Sequence, residues 1–251
     1  METTKRTLII LTATVSPMVD VVRANPEARL NDYLKALERW WQEFKSLPVD
    51  ILFCENSGYD LKSLRDWIVL MNAGNRIRVF QFNGDKSLVA NSGKGAGEAE
   101  MFDECFHNNL ISGYDYILKS TGRLFVSNAR HLLEQTINKG SDWAISFRSP
   151  LDFVDARFFI IKLELFDAYL LGLGKEVNDK QGAYIEHAML RRVCRAISDG
   201  HKWGQFEELP RYEGVGGTDG KQHSSLLGNL RYFVKNGLHR LGIKFGIYWY
   251  L

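Results

Sequence analysis

The chain has 251 residues, 45 % of them apolar and 25 % charged, which fits one large α/β domain or two small ones around a substantial core. Its net charge of +2 speaks against a general nucleic-acid binder, which carries a clear basic excess. The three cysteines, Cys54, Cys105 and Cys194, lie far apart with no Cys-x-x-Cys pair, so neither a disulfide framework nor a zinc site is expected, and a reducing cytoplasm fits best.

Taken in chain order, the apolar run Leu8 to Leu11 is too short for a secretion signal or a membrane span, and Arg6 to Thr14 is the first expected strand. Leu30, Tyr33, Leu34, Leu37, Trp40, Trp41 and Phe44 then recur at helical spacing over Arg29 to Lys45. Asp50 to Glu55 is the second strand, Leu61 to Asn72 a helix and Ile77 to Phe82 the third strand. The glycine-rich stretch GDKSLVANSGKGAGE reads as a loop leading into a helix from about Glu98 to Leu110. Tyr116 to Lys119 is strand four, then a break and LFVSN, a helix from Arg130 to Lys139, and strands at Trp143 to Phe147 and Ala156 to Lys162. Helices are expected over Leu163 to Leu171, over QGAYIEHAMLRRVCRAI and over Leu226 to Leu241, with a glycine-rich loop, PRYEGVGGTDGKQ, before the last. Short apolar runs alternating with helical patterns predict an α/β fold with a mostly parallel sheet. Residues 1–225 are expected as one domain and 226–251 as a C-terminal basic, aromatic helical appendage.

Ligands of open α/β sheets bind beyond the carboxyl ends of the strands. That rule gathers Thr12 to Ser16, Glu55 to Tyr59, Gly93 to Glu98 and Lys119 to Arg123 along one edge. GKGAGE has neither P-loop nor dinucleotide-fingerprint spacing. It offers backbone at Gly95 for close approach, Lys94, and a helix N-terminus that favours anions. Lys119 and Arg123 flank Ser-Thr-Gly at a strand end, where an Arg fork and a Lys point charge could neutralise a departing diphosphate. A plain surface turn with solvated cations is the bland alternative. Tyr212, Lys221 and His223 could close over the same group from the glycine-rich loop. Six histidines without an His-Glu-x-x-His pairing, and Ser57 outside any Gly-x-Ser-x-Gly elbow, rank metal and hydrolase chemistry low. From Gly220 onward there is no Asp or Glu, while Lys221, Arg231, Lys235, Arg240 and Lys244 are basic and Tyr232, Phe233, Phe245, Tyr248, Trp249 and Tyr250 aromatic. Such a tail suits either the surface of an anionic membrane or a helix packed on the domain with a solvated basic face.

The order LTATVSP, DILFCENSGYD, GKGAGE and YILKSTGRLFVSN, over Arg6 to Asn128, resembles the glycosyltransferases of bacterial capsule and O-antigen clusters. The resemblance implies a GT-A-like (Rossmann-like) fold and a nucleoside-diphosphate sugar donor, UDP-linked by family analogy. It also implies hexosyl transfer to a growing surface glycan or lipid-linked acceptor at the inner face of the cytoplasmic membrane. One departure stands out: no Asp-x-Asp motif is present, and Asp103, Asp115, Asp142 and Asp152 are the nearest candidates. No divalent metal or other cofactor is therefore expected. Lys94, Gly95, Lys119, Arg123, Lys221 and His223 would hold the diphosphate, and Thr12, Thr14 and Glu55 would meet the nucleoside. An inverting transfer needs a base for the acceptor hydroxyl, and Glu186 stands where such families place it. His187 beside it points about 100° away on a helix and is expected to serve elsewhere. The alternative from another class is a non-catalytic carbohydrate-binding or scaffold subunit on the same fold.

Overall fold

Leu8, Ile9, Ile10 and Leu11 are all completely buried, the mark of a strand covered on both faces. Alternation divides them. Leu8 and Ile10 pack with Phe102, Phe159 and Phe166 on one side, and Ile9 and Leu11 with Tyr33, Leu37 and Trp40 on the other. The computed structural model describes residues 5–19, 21–148, 152–216, 220, 222–223 and 226–244. In it this strand, β1 (Thr7–Ala13), lies near the middle of a seven-stranded sheet. Its companions are β2 (Val49–Glu55), β3 (Ile77–Gln81), β4 (Tyr116–Thr121), β6 (Trp143–Phe147), β7 (Val154–Lys162) and β8 (Trp203–Gly204), in the order β3-β2-β1-β4-β7-β6-β8. The pairs β1/β2, β2/β3, β1/β4 and β6/β8 are parallel, and only β7 runs antiparallel to its neighbours β4 and β6. The short β5 (Leu124–Val126) and β9 (Tyr212–Gly214) pair separately. This is an α/β fold with a mostly parallel central sheet.

Helices α1 (Pro26–Phe44), α2 (Lys62–Leu70) and α5 (Ala129–Asn138) cover one face. The other is covered by α4 (Lys94–His107), α6 (Phe166–Leu170) and α7 (Ile185–Ser198). α1 shows why these segments coil. The Asn25 side chain accepts from Ala28 N at 2.8 Å and Pro26 opens the first turn, so the N-terminus is capped and its φ preset. Arg29, Tyr33, Ala36, Leu37, Trp40 and Phe44 then fall on the buried stripe.

The glycine-rich stretch departs from expectation. Instead of a loop it forms α3 (Lys86–Ser92), capped by Asp85 through Ser87 N and Leu88 N, and then α4, which starts at Lys94 rather than near Glu98. The two helices meet at Gly93, whose φ is +93°. A Cβ at Gly93 would sit 2.5 Å from the Cβ of Asp179, and one at Gly95 would sit 3.0 Å from Val177 and 3.2 Å from Ile185. The glycines therefore let the first turn of α4 press against the segment leading into α7, a packing demand that composition alone reads as looseness. Gly93→Ala should cost about 1–3 kcal/mol from the positive φ before any clash is counted. Thermal denaturation should register this as a fall of several degrees, and an unchanged midpoint would refute the packing account.

At the other end of the chain α8 (Leu226–Lys244) extends three residues beyond its expected end at Leu241. Tyr232, Asn236 and His239 join it to the segment 206–209.

Candidate functional site

Where β1, β2 and β4 end, the chain leaves a cavity of about 750 Å³. Its floor is set by strand-end loops that hold one another. Thr14 Oγ1 donates to Asn56 Oδ1 at 2.7 Å, Ser16 N to Ser57 Oγ at 3.0 Å, and Gly122 N to Thr12 O at 2.8 Å. Thr12 and Thr14 both line this floor.

Glu55 falls behind the floor. It is completely buried, and its carboxylate accepts from Val15 N at 3.0 Å, Ser57 N at 2.9 Å, Gly58 N at 3.0 Å and the Ser57 hydroxyl. Its acceptor capacity goes to fixing the two loops, so it shapes the floor without reaching a ligand there.

Lys119 is withdrawn in the same way. It lies within β4 rather than at a break, is 1 % exposed, and donates to the Ala156 carbonyl at 2.7 Å. Its Nζ is 2.5 Å from Glu98 Oε1, and the same oxygen accepts from Thr12 Oγ1 at 3.1 Å. Glu98 stands in the cavity wall. Position along the strand explains the misplacement: Lys119 is still inside β4 and reaches Glu98 of α4 beneath the wall, while the chain leaves the sheet at Thr121 and brings Thr121 and Arg123 to the cavity.

Arg123 does line the cavity. Its Nη1 donates to Val215 O at 3.2 Å, its guanidinium lies 5.7 Å from the Tyr33 ring centre, and its Nε has no acceptor among the described residues. Lys94 and Gly95 contribute the first turn of α4, where Gly95 N donates to Asp179 Oδ2 at 3.1 Å. That helix end thus already meets a carboxylate. His223 lies at the rim with Val215 and Gly216, and Lys221 lies outside the described residues.

The N-terminus of α7, against which the first turn of α4 packs, lines the cavity as well. Tyr184, Glu186 and His187 all line the cavity, so His187 shares the site despite its expected divergence from Glu186. The reason is the helix end: His187 Nδ1 accepts from Tyr184 N at 3.3 Å, folding the imidazole back over the first turn. Burial pushes the Glu186 carboxyl above the ordinary range, the negative neighbours Glu98 and Asp155 reinforce this, and Lys119 partly opposes it.

Sequence reasoning missed Arg157, which also lines the cavity. Its fork grips Asp155 with Nε to Oδ1 at 2.7 Å and Nη2 to Oδ2 at 2.6 Å, and Arg148 adds a contact at 3.3 Å. Burial alone would raise the Asp155 carboxyl, but the two guanidiniums overcome it and hold it at about 2. The Tyr212 ring lies 4.1 Å beneath the Arg157 guanidinium. The available signal was the Asp-x-Arg spacing in VDARFFIIK, which puts both side chains on one face of a strand.

Among the described residues no three His, Cys, Asp or Glu side chains converge as a metal-binding group. Asp103 accepts from Gly172 N at 2.9 Å, Asp115 pairs with Lys5 at 3.0 Å and Asp142 with Lys162 at 2.6 Å. Asp152 alone of the four nearest Asp-x-Asp candidates lines the cavity.

No family model matches the sequence, and no curated protein does. Solved structures do. A protein assigned as a nucleotide-diphospho-sugar transferase from Desulfovibrio desulfuricans G20 superposes with a TM-score of 0.52 at 13 % identity, covering 94 % of this chain and 96 % of its own. A mannosyltransferase from Pyrobaculum calidifontis, solved in complex with GDP-Man and Mn2+, gives 0.55 at 8 % identity. That match covers 96 % of this chain and 65 % of the mannosyltransferase. The chain has the GT-A-like fold of nucleotide-diphospho-sugar transferases.

Proposed function

We propose that the protein is a glycosyltransferase that moves a hexosyl group from a nucleoside-diphosphate sugar, UDP-linked, to a hydroxyl of a growing surface glycan or lipid-linked acceptor. The transfer inverts the anomeric carbon and uses no divalent metal. One observation carries this: a single cavity at the strand ends is lined by the cations Lys94 and Arg123 and by Glu186, whose carboxyl pKa is raised. Glu186 takes the acceptor proton as the acceptor oxygen bonds to the anomeric carbon. The bond from that carbon to the phosphate oxygen breaks, and its electron pair leaves on the diphosphate. A base whose pKa is raised toward the working pH suits proton removal better than an ordinary carboxylate. Arg123 and Lys94 meet the charge that develops on the leaving group, with Arg157 and His223 beside them. Thr12, Thr14 and Asn56 meet the nucleoside.

Calorimetric titration with UDP tests this. Binding should survive EDTA, and Arg123→Ala should weaken it about 10- to 100-fold, the worth of a charge-assisted hydrogen bond. Binding that requires Mn2+ or Mg2+ would remove the metal-free mechanism, and tighter binding of GDP than UDP would remove the uracil assignment.

A further inference from the structure

Over residues 232–241, helix α8 is amphipathic the wrong way round for a helix packed on a domain. Tyr232 OH donates to Leu209 O at 3.2 Å, Leu209 N donates to Asn236 Oδ1 at 2.8 Å, and His239 Nε2 meets Phe206 O at 2.7 Å. Positions 232, 236 and 239 form one stripe, and it is this polar stripe that faces the protein. Apolar residues of the stretch 233–241 turn outward: Phe233 is 58 % exposed, Val234 57 %, Leu238 46 % and Leu241 53 %. At about 100° per residue, the row Val234, Leu238 and Leu241 lies on the side of the helix opposite the docked stripe. A surface helix normally buries its apolar stripe against the core, and a contiguous exposed apolar row marks an interaction surface.

Charge identifies the occupant. Lys235 and Arg240 lie on the two flanks between the docked and exposed stripes, both exposed, with Arg240 reaching Glu208 at only 3.5 Å. The sequence holds no Asp or Glu from Gly220 onward, and Phe245, Tyr248, Trp249 and Tyr250 follow outside the described residues. An apolar row edged by cations whose stems can lie along it is the pattern of a helix in the plane of an anionic bilayer surface. No helix among the described residues is long and apolar enough to cross a membrane.

We propose that α8 seats the protein on an anionic lipid surface, with Val234, Leu238 and Leu241 entering the headgroup boundary and Lys235 and Arg240 meeting lipid phosphates. The segment 206–209 that holds α8 leads directly into β9, and Val215 just beyond that strand receives Arg123. The contact therefore ties the surface to the cavity rim. It does not depend on the transfer chemistry.

Co-sedimentation of the full chain with vesicles of phosphatidylcholine, alone or mixed with phosphatidylglycerol, tests it. The protein should pellet with the mixed vesicles and not with the neutral ones, and added salt should release it. Lys235→Gln with Arg240→Gln should lower partitioning about 25-fold, roughly fivefold for each basic residue near the surface. Leu238→Ser with Leu241→Ser should lower it more than about tenfold while leaving UDP binding and the thermal midpoint unchanged. Equal pelleting with neutral vesicles, no pelleting, or indifference to both double variants would overturn the proposal. So would a wild-type dimer that becomes monomeric in the leucine double variant, since a second copy would then cover the row. Lost UDP binding with intact vesicle binding would instead count against the transferase function alone.

Discussion

Glu186→Gln should lower the transfer rate about 10²- to 10⁴-fold, the usual contribution of a positioned general base. The donor KM should change little, because in the proposed mechanism the diphosphate is held by Lys94 and Arg123 and not by Glu186. Single-turnover transfer from a UDP-sugar, with UDP affinity measured alongside, separates the two effects. The wild-type rate should rise with pH as Glu186 ionises, with the midpoint above the ordinary glutamate range because burial opposes the charge. Stability should move the opposite way. A carboxyl whose folded pKa lies above its unfolded value contributes fully below the unfolded value and loses that contribution as pH rises through the folded one. Wild type should therefore lose thermal stability relative to Glu186→Gln as pH climbs through that window, and the difference should vanish in acid. A base that is costly to fold and necessary for turnover is the combination expected of an active-site carboxylate. Full activity in Glu186→Gln would send the base assignment to another cavity carboxylate, with Asp152 the first to test.

The sheet was legible because its strands carry their own signal. LIIL, DILFCE and ARFFIIK are apolar runs that only a two-sided burial satisfies, and the strand-end rule then gathered Thr12, Thr14, Arg123 and Gly95 at the cavity without any contact being known. Glu186 was expected from the family resemblance rather than from any local pattern, and it too lines the cavity. What sequence could not resolve was side-chain direction near the ends of elements. Lys119 and Arg123 are four residues apart in one motif, yet the strand continues through Thr121 and sends Lys119 into the interior. Glu55 likewise sits on the last position of β2, where one residue decides between cavity and core. The glycines of GKGAGE misled for another reason. Their purpose is the approach of Asp179, Val177 and Ile185, residues more than eighty positions away, which no local pattern encodes.

The Glu98–Lys119 pair should give an asymmetric double-mutant cycle. Lys119 is 1 % exposed, whereas the Glu98 side chain is 24 % exposed and borders the cavity. Glu98→Leu strands a buried ammonium, leaving it the Ala156 carbonyl as its hydrogen-bond acceptor. Breaking a buried pair from one side costs about 3–5 kcal/mol. For a chain of this length that lowers the thermal midpoint on the order of 10 °C. Lys119→Met should cost less, because the abandoned Glu98 carboxylate can turn toward water in the cavity and Met fills most of the lysine stem volume. The double variant should recover most of the Glu98→Leu loss, since two apolar side chains replace two charges that must otherwise neutralise each other. Calorimetric scans of the four proteins measure the coupling. UDP titration of Lys119→Met adds a second readout. A lysine held behind the wall leaves diphosphate affinity within about threefold of wild type, whereas one that touches phosphate costs the 10- to 100-fold expected of Arg123. Equal losses from the two single variants, or a large fall in UDP affinity on removing Lys119, would place that ammonium in the cavity rather than beneath it.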